Sequence, residues 1–335
     1  MDAKTVEPRF SVVVLNWNTL ELLKRNLAAL KAQSYSSLEV IVVDNGSQDG
    51  SVEYLDSDEF KSFGFKRVML PENTGFAGGM NAGLRCSSGD WFLPLNVDVF
   101  LAPDFFEKAA AKIKSDPSAA MIGPLIYRYD RESGPTEEIL CTYVVPTRFL
   151  SLATPLGQPF EERCVFAPGG CAPLLRKAEM EAAVIPPDLS ESGKKEYYDE
   201  RYFAYGEDID LYFRLNAMGA KALYCPSLKC WHVHSGSQEG VRWYEKGGAT
   251  IARIGANALS TCLKDLGGWL RFKTFLLLFL APIGRSLYLL CKLSGKLFSP
   301  LKTYVLFFRR LGLDKRLGAY YRPLFTTNLQ QYFQR

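Results

Sequence analysis

The runs FSVVVLN (Phe10–Asn16) and LEVIVVDNGS (Leu38–Ser47) decide the fold, because each is a short, β-branched apolar stretch that ends in polar residues. Such runs are typical of strands buried on both faces of a parallel sheet. Asp90–Leu95 reads as a further strand, and it leads into Asn96-Val97-Asp98. The carboxyl ends of parallel strands meet at one edge, where α/β proteins bind ligands. We therefore expect the polar residues after these strands to share a site.

Helical patterns separate the strands and complete the fold prediction. The predicted helices are Thr19–Ala32, Gly50–Phe60, Gly75–Cys86, Pro103–Lys114 and Asp208–Met218, with Gly219 ending the last; further strands are Lys66–Leu70, Ala119–Gly123 and Lys221–Cys225. Strands that alternate with helices predict an α/β fold with a mainly parallel sheet flanked by helices on both faces. Arg128–Pro159 is rich in turn residues and shows little periodicity, so we predict irregular structure there.

Charge is distributed unevenly along the 335 residues. Residues 264–335 contain 13 Lys or Arg and 2 Asp or Glu, a net of +11, whereas the remainder contains 27 basic and 34 acidic residues, a net of −7. The eight cysteines include no CxxC pair and are expected to be reduced. The apolar stretch Val12–Leu15 is too short for a signal peptide, so we expect a cytoplasmic protein.

Glu207-Asp208-Ile209-Asp210 places three carboxylates in four residues at the start of a predicted helix. Carboxylates near a helix N-terminus are stabilised by the helix dipole, so capping alone is one interpretation. Three of them exceed what capping needs, because crowded like charges cost free energy. The cluster therefore also indicates a catalytic site.

In their order and spacing, the motifs from Phe10 to Ser237 resemble those of family 2 glycosyltransferases, which are inverting enzymes of the GT-A (nucleotide-diphospho-sugar transferase) fold. Asn73–Gly83 (NTGFAGGMNAG) and Glu207–Asp210 further resemble the bacterial subgroup that contains rhamnosyltransferases, which build surface polysaccharides. The resemblance implies a dTDP-, UDP- or GDP-linked sugar donor, with rhamnose as the suggested sugar. It also implies a glycan or lipid-linked acceptor.

The resemblance assigns recognition of the donor base to Asp44, assisted by the Asn16 region. An Asx-turn that closes a βα unit is the alternative for Asp44, and tight helix–strand packing is the alternative for the glycines of Asn73–Gly83. Asn73–Gly83 lacks the Gly-Lys-Ser/Thr sequence of a Walker phosphate-binding loop. It also does not follow the first strand, where the glycine motif of a dinucleotide-binding fold belongs. The predicted donor-binding residues are Asn16, Asn18, Asp44, Asn45, Ser47, Asn73, Gly75, Phe76, Ala77, Gly79, Asn81, Asn96, Val97 and Asp98.

Asn96-Val97-Asp98 occupies the place of the family's Asp-x-Asp motif, which implies a divalent cation, Mg²⁺ or Mn²⁺, that bridges the donor phosphates. Asn96 departs from that motif, because an amide supplies an oxygen without a charge. Asp98 is therefore the first metal-ligand candidate. His232 and His234, the two histidines of the chain, alternate on a predicted strand and are candidates to complete the metal shell.

Direct inverting transfer needs one base to take the proton of the acceptor hydroxyl. By resemblance Asp208 is this base, with Glu207 or Asp210 orienting it or the acceptor. Gly169 and Gly170 precede a short apolar run and are predicted on the acceptor side.

These assignments give a glycosyltransferase domain over residues 1–263, with a donor-binding part at about 10–123 and an acceptor-side part at about 124–263. Residues 264–335 form a basic, amphipathic helical region, expected to associate with an anionic membrane, so that the protein lies on the inner face of the cytoplasmic membrane. A packed helical subdomain is the alternative for this tail. Nucleic acid is not expected as a partner, because no binding fold is recognised. Two other functions remain open: a non-catalytic nucleotide-sugar-binding protein and a NAD-dependent oxidoreductase.

Overall fold

A computed structural model describes residues 7–146, 152–153, 159–169, 171–233, 248–266, 271–280 and 302–324. The chain divides into two compact units. Unit 1 comprises Met1–Val144, Thr154–Val184 and Ala220–Ser237, and unit 2 comprises Val145–Ala153, Ile185–Gly219 and Gln238–Arg335.

Unit 1 is built on one large mixed sheet with the strand order β10-β13-β6-β12-β4-β1-β2-β3, in which β5 pairs with β13 and β7 with β6. Its strands are β1 (Phe10–Asn16), β2 (Leu38–Asn45), β3 (Lys66–Leu70), β4 (Trp91–Asn96), β5 (Val99–Leu101), β6 (Ala119–Asp130), β7 (Gly134–Cys141), β10 (Arg163–Val165), β12 (Leu174–Arg176) and β13 (Lys221–His232). Tyr143–Val144 of β8 (Tyr143–Pro146) pairs with β11 (Ala167–Pro168).

Helices cover both faces of the sheet, as the alternating pattern predicts. The helices of unit 1 are α1 (Leu20–Lys31), α2 (Ser51–Asp56), α3 (Asp58–Phe63), α4 (Gly75–Arg85), α5 (Phe105–Ser115) and α6 (Lys177–Ala182). Side chains alternate along a strand: Val12 and Val14 of β1 join a buried cluster with residues of α1 and α5, whereas Val13 faces Gly83 of α4. The strands β4, β1, β2 and β3 run parallel to their neighbours within this group.

A partly buried carboxylate, Glu39, connects the strands at their opposite, amino-terminal edge. Glu39 of β2 accepts hydrogen bonds from Ser11 Oγ at 2.5 Å, from Ser88 N at 2.8 Å and from Lys66 Nζ at 2.5 Å. Burial alone would raise the pKa of Glu39, but these hydrogen bonds hold it at about 2. The ionised side chain therefore ties β1, β2 and β3 together with the loop before β4.

The segment after residue 124 is more regular than its sequence suggests. The prediction of irregular structure over Arg128–Pro159 is wrong for β7, which pairs antiparallel with an extended β6. Most side chains of β7 are at least partly exposed, so its sequence lacks the apolar alternation that marks a half-buried strand. The predicted helix Gly50–Phe60 is divided at Ser57 into α2 and α3, because Ser57 is extended and caps α3 by accepting from Phe60 N.

Unit 2 is mainly helical. It contains α7 (Glu207–Ala217), α8 (Gly248–Asp265), α9 (residues 271–280), α10 (Lys302–Tyr321), 3₁₀ turns at Pro187–Leu189, Glu200–Tyr202 and Arg322–Leu324, and a pairing of Val145–Pro146 with β9 (Leu152–Ala153). Leu317 and Tyr321 of α10 are buried against Ile185. The helix α8 continues across the predicted domain boundary between residues 263 and 264 and ends at Asp265. Among the described helices, none combines the length and the apolar character needed to cross a bilayer.

Candidate functional site

Asn16 and Asp44 end the neighbouring strands β1 and β2 and lie directly opposite each other in the register. Both side chains are fully buried. Asn16 Nδ2 donates to Asp44 Oδ1 at 2.9 Å and to Ser47 Oγ at 3.2 Å, and the Ser47 backbone N–H donates to Asp44 Oδ2 at 2.9 Å. The structure thus brings Asn16, Asp44 and Ser47 together at the ends of β1 and β2. Each carboxylate oxygen keeps further lone-pair capacity for a ligand N–H.

The same turn includes Asn18, which adopts a left-handed backbone with φ 52°. Its backbone N–H donates to Ser47 Oγ at 2.9 Å, and its side-chain Oδ1 accepts from Gln48 N at 2.7 Å. These bonds join the loops that follow β1 and β2. Trp17, between Asn16 and Asn18, is half exposed.

Asn45 connects the end of β2 to the glycine-rich segment. Its Nδ2 lies 3.2 Å from Asn73 Oδ1 and 3.0 Å from the carbonyl oxygen of Gly75, and its Oδ1 accepts from Thr74 N at 2.9 Å. The start of α4 is thereby held beside the Asp44 turn. Phe76 is half-buried at this helix start.

The later glycines of α4 pack against the sheet. A Cβ at Gly79 would lie 2.5 Å from Leu15 Cδ1, and one at Gly83 would lie 2.3 Å from Val13 Cγ1. Ala77 and Asn81 are also fully buried in this helix. For Gly79 and Gly83, close helix–sheet packing alone accounts for the glycine.

Asn96-Val97-Asp98 lies between β4 and β5, with Asn96 half-buried beside the end of β1. Asp98 is 9% exposed, and its Oδ2 lies 3.2 Å from His232 Nε2 at the end of β13. Cys171 is also hydrogen-bonded to His232. Burial disfavours the charged imidazole, but Asp98 and Cys171 outweigh burial and raise the pKa of His232 to about 10.

Asp98 and His232 fit a divalent cation in part. One carboxylate oxygen and one imidazole nitrogen in contact are ligand types that Mn²⁺ accepts, and substrate phosphates often supply the remaining ligands of such ions. Within the described residues, no cluster of three or more His, Cys, Asp or Glu is arranged to hold a metal without a substrate. His234 and Gly170 lie outside the described residues. A Cβ at Gly169 would lie 2.7 Å from Ile126 Cδ1 of β6.

The carboxylate cluster belongs to unit 2. Gly206, with φ 95°, precedes α7, and Glu207 and Asp208 form its first turn. Asp208 is half-buried and Glu207 is 7% exposed. Desolvation raises the pKa of Asp208, and desolvation together with the charge of Asp208 raises the pKa of Glu207 well above its ordinary value. A carboxylate with a raised pKa is a better proton acceptor near neutral pH.

Asp210 has different surroundings from its two neighbours. It is fully buried, where its Oδ2 accepts from Arg214 Nε at 3.0 Å and its Oδ1 contacts Lys264 Nζ at 2.5 Å and Tyr202 Oη at 3.1 Å. Burial would raise the pKa of Asp210, but Lys264 and Arg214 lower it. Lys264 Nζ also lies 2.7 Å from Asp199 Oδ2.

Several residues near these clusters were not identified from the sequence. Cys171 contacts His232, which lies 61 positions later in the chain. Tyr198 is buried, and its pKa is raised by desolvation and by the charges of Asp208 and Glu207. Lys264 was assigned to the tail. Contacts between distant residues leave no periodic signal in a single sequence, so nothing in the pattern marks these residues.

Comparison with known proteins identifies the family of the chain. The family model described as "Glycosyl transferase family 2" matches residues 11–181, just over half of the chain. A relative named "Uncharacterized glycosyltransferase" from Haemophilus influenzae is 29% identical over 128 residues, which cover 38% of this chain and 40% of the relative. The matched segments span 40–46% of the first three such relatives.

Two solved structures are similar over most of the chain. Staphylococcus aureus TarS 1-349 in complex with UDP-GlcNAc has a TM-score of 0.56 at 15% identity and covers 94% of this chain and 90% of that one. The mannosyltransferase PcManGT from Pyrobaculum calidifontis, in complex with GDP-Man and Mn²⁺, has a TM-score of 0.53 at 17% identity and covers 96% and 83%. At these identities the likeness concerns the fold, and it confirms the α/β fold class predicted from the sequence.

Proposed function

Because the chain belongs to glycosyl transferase family 2, we propose that it is an inverting glycosyltransferase that moves a sugar from a nucleotide-diphosphate donor to a glycan or lipid-linked acceptor. The observation that carries this proposal is the meeting of Asn16, Asp44 and Ser47 at the carboxyl ends of β1 and β2. This is the edge at which α/β proteins bind ligands. Rhamnose is the proposed sugar, and synthesis of surface polysaccharide the proposed role.

Asp44 is the proposed acceptor for the ring N–H of a pyrimidine or guanine base. Asn16 and the Ser47 backbone fix both carboxylate oxygens, so the side chain is oriented before the donor arrives. A preorganised acceptor loses less conformational freedom on binding. TarS and PcManGT, which share the fold, were solved with UDP-GlcNAc and GDP-Man, and this supports a nucleotide-sugar donor. Asn73, Gly75 and Phe76 are proposed to contact the donor from the start of α4.

Asp98 and His232 are the proposed protein ligands of a divalent cation, with Asn96 as a neutral oxygen donor nearby. PcManGT was solved with Mn²⁺. When bound, the cation would neutralise the leaving diphosphate. Within the described residues, no third His, Cys, Asp or Glu joins Asp98 and His232 in a metal-holding cluster. We therefore propose that metal binds together with the donor phosphates, which would supply further ligands.

Asp208 is the proposed base. The acceptor hydroxyl attacks the anomeric carbon as the bond to the diphosphate oxygen breaks, and Asp208 takes the hydroxyl proton. Attack from the side opposite the diphosphate inverts the anomeric configuration. Glu207 is proposed to orient the acceptor. Asp210 is engaged by Arg214 and Lys264, so we assign it the role of anchoring the first turn of α7.

A peripheral position on the inner face of the cytoplasmic membrane is part of the proposal. Phe272, Leu276 and Leu280 are 47–56% exposed and recur every four residues, so they form one stripe along α9. Lys273 is exposed on the same helix. Phe308 of α10 is 55% exposed and contacts Phe279 at a ring-centroid distance of 6.5 Å. Apolar side chains with adjacent cations suit an anionic lipid surface.

A panel of nucleotide sugars tests the proposed function. Purified protein is heated with dTDP-rhamnose, UDP-GlcNAc, GDP-mannose or NAD, with Mn²⁺ or with EDTA, and release of nucleoside diphosphate is measured in parallel. We expect one nucleotide sugar to raise the melting temperature, because a ligand that binds only the folded state stabilises it. Asp98→Ala should remove the Mn²⁺-dependent part of this shift, and Asp58→Ala, whose side chain is fully exposed, should not.

The outcomes separate the candidate functions. Stabilisation without any release of nucleoside diphosphate would favour a non-catalytic binding protein. Stabilisation by NAD alone would favour an oxidoreductase. If no nucleotide sugar stabilises the protein, the proposed function is wrong.

A further inference from the structure

The segment between the 3₁₀ turn Glu200–Tyr202 and α7 has an unusual backbone. Phe203 has φ 60°, Tyr205 has φ 72° and Gly206 has φ 95°. Glycine adopts such angles freely, but aromatic residues rarely do, because their Cβ approaches the backbone. Two aromatic residues in this region within three positions need support from their surroundings.

Asn257 of α8 supplies that support. Its side chain is 1% exposed, and its Nδ2 lies 2.7 Å from the carbonyl oxygen of Tyr205, 3.2 Å from that of Tyr202 and 3.4 Å from that of Ala204. Arg310 of α10 donates to Asn257 Oδ1 at 2.6 Å and also donates to the carbonyl oxygen of Arg201.

A second contact holds the start of the segment. The guanidinium of Arg253, on α8, lies 4.4 Å from the ring centroid of Phe203. Two helices of the C-terminal region therefore fix the backbone immediately before α7. The arrangement fixes the direction in which the side chain of Tyr205 leaves the chain.

Two side chains of the fixed segment, Tyr205 and Glu207, are relevant to ligand binding. Tyr205 is 43% exposed although its backbone is tightly held. Glu207 is only 7% exposed, and within the described residues its Oε2 has no hydrogen-bond partner. A buried carboxyl oxygen without a partner is costly unless a ligand satisfies it.

An exposed aromatic residue two positions before a carboxylate is a combination that suits recognition of a pyranose. Sugar rings have an apolar face of C–H groups and a rim of hydroxyls, so they pack on aromatic rings while their hydroxyls bond polar groups. Asp208, the proposed base, follows Glu207 directly. A sugar held here would therefore have a hydroxyl near the group that takes its proton.

We propose that Tyr205 and Glu207 form the acceptor subsite, in which the Tyr205 ring stacks on the apolar face of an acceptor pyranose and Glu207 hydrogen-bonds one of its hydroxyls. This proposal rests on the proposed glycosyltransferase function. Asn257 and Arg310 are positioning residues that act through Tyr205. Burial and the charge of Asp208 raise the pKa of Glu207 well above its ordinary value. In either protonation state its carboxyl group can form a hydrogen bond with a sugar hydroxyl.

Binding of simple sugars tests the subsite without knowledge of the natural acceptor. Methyl glycosides of glucose, galactose, mannose, N-acetylglucosamine and rhamnose are titrated at millimolar concentration and followed by saturation-transfer difference NMR. Tyr205→Asn removes the ring and keeps a residue that tolerates positive φ, whereas Tyr205→Phe keeps the ring. Tyr320→Asn is the matched control, since Tyr320 is 40% exposed on α10.

We expect Tyr205→Asn to weaken glycoside binding about tenfold, the size of one aromatic stacking contact. Tyr205→Phe and Tyr320→Asn should bind as the wild type does. Asn257→Ala should also weaken binding, and combining it with Tyr205→Asn should add little, because both act on one contact.

Equal binding by wild type and Tyr205→Asn, or no glycoside binding by the wild type, overturns the subsite. Additive losses in the double variant overturn the positioning role of Asn257. Release of nucleoside diphosphate by the wild type is measured on the same preparation. Failure of that release with every donor counts against the proposed function, while the glycoside titration still decides the subsite.

Discussion

Replacing Lys264 with methionine should destabilise unit 2 strongly. The ammonium of Lys264 is fully buried and lies 2.7 Å from Asp199 Oδ2 and 2.5 Å from Asp210 Oδ1. Removing one partner of a buried ion pair costs roughly 3–5 kcal/mol, because the remaining charge stays desolvated. Asp199 would retain Arg201 and Asp210 would retain Arg214, so we expect the lower end, about 3 kcal/mol.

Equilibrium urea unfolding followed by circular dichroism measures the change, and hydrogen exchange of peptides from α8 locates it. Lys315→Met is the matched control, because Lys315 is exposed on α10 and surface substitutions usually change the unfolding free energy by less than about 0.5 kcal/mol. The reasoning is refuted if the two variants unfold at the same urea concentration with the same exchange in α8. A chain ended at residue 263 would lose Lys264 as well, so truncation is a poor test of the tail.

Three further results are expected. Asp208→Asn should lower turnover roughly 10²-fold while donor-induced stabilisation persists, and near-normal turnover would exclude Asp208 as the base. Because desolvation raises the pKa of Asp208, wild-type activity should be lost on acidification at a higher pH than an ordinary aspartate would give. Hydrogen bonds hold the pKa of Glu39 at about 2 although burial alone would raise it. The free energy of unfolding should therefore decline as the pH falls from about 4.5 toward 2, and Glu39→Gln should make that decline smaller in acid unfolding curves. Leu276→Asp with Leu280→Asp should reduce co-sedimentation with phosphatidylglycerol vesicles, whereas Ile139→Asp on β7 should not; equal sedimentation would argue against membrane docking through α9.

The strand ends could be predicted because local sequence determines them. The apolar runs of β1 and β2 stop where the polar residues begin, and parallel pairing then places Asn16 opposite Asp44. Burial on both faces of the sheet leaves one side-chain pattern compatible with each strand. The donor side of the candidate site therefore follows from short segments and one rule of topology.

The surroundings of the carboxylate cluster could not be predicted in this way. The pairing of Asp199 with Lys264 joins residues 65 positions apart, and no periodicity connects them. The left-handed backbone of Tyr205 is equally invisible, because the sequence places an aromatic residue where glycine is expected. The three carboxylates also look alike in sequence, whereas the fold gives Asp208 partial exposure and Asp210 two buried cations.

The net positive charge of the tail is divided between buried and exposed side chains. Both of its acidic residues, Asp265 and Asp314, are buried, as is Lys264. Lys302, Arg309, Lys315, Arg316 and Arg322, by contrast, are exposed in the described part of α10 and the turn after it. The acids therefore contribute little to the field outside the protein, since each has basic neighbours in the buried network. One region can thus stabilise the first turn of α7 through its buried charges and attract an anionic surface through its exposed ones.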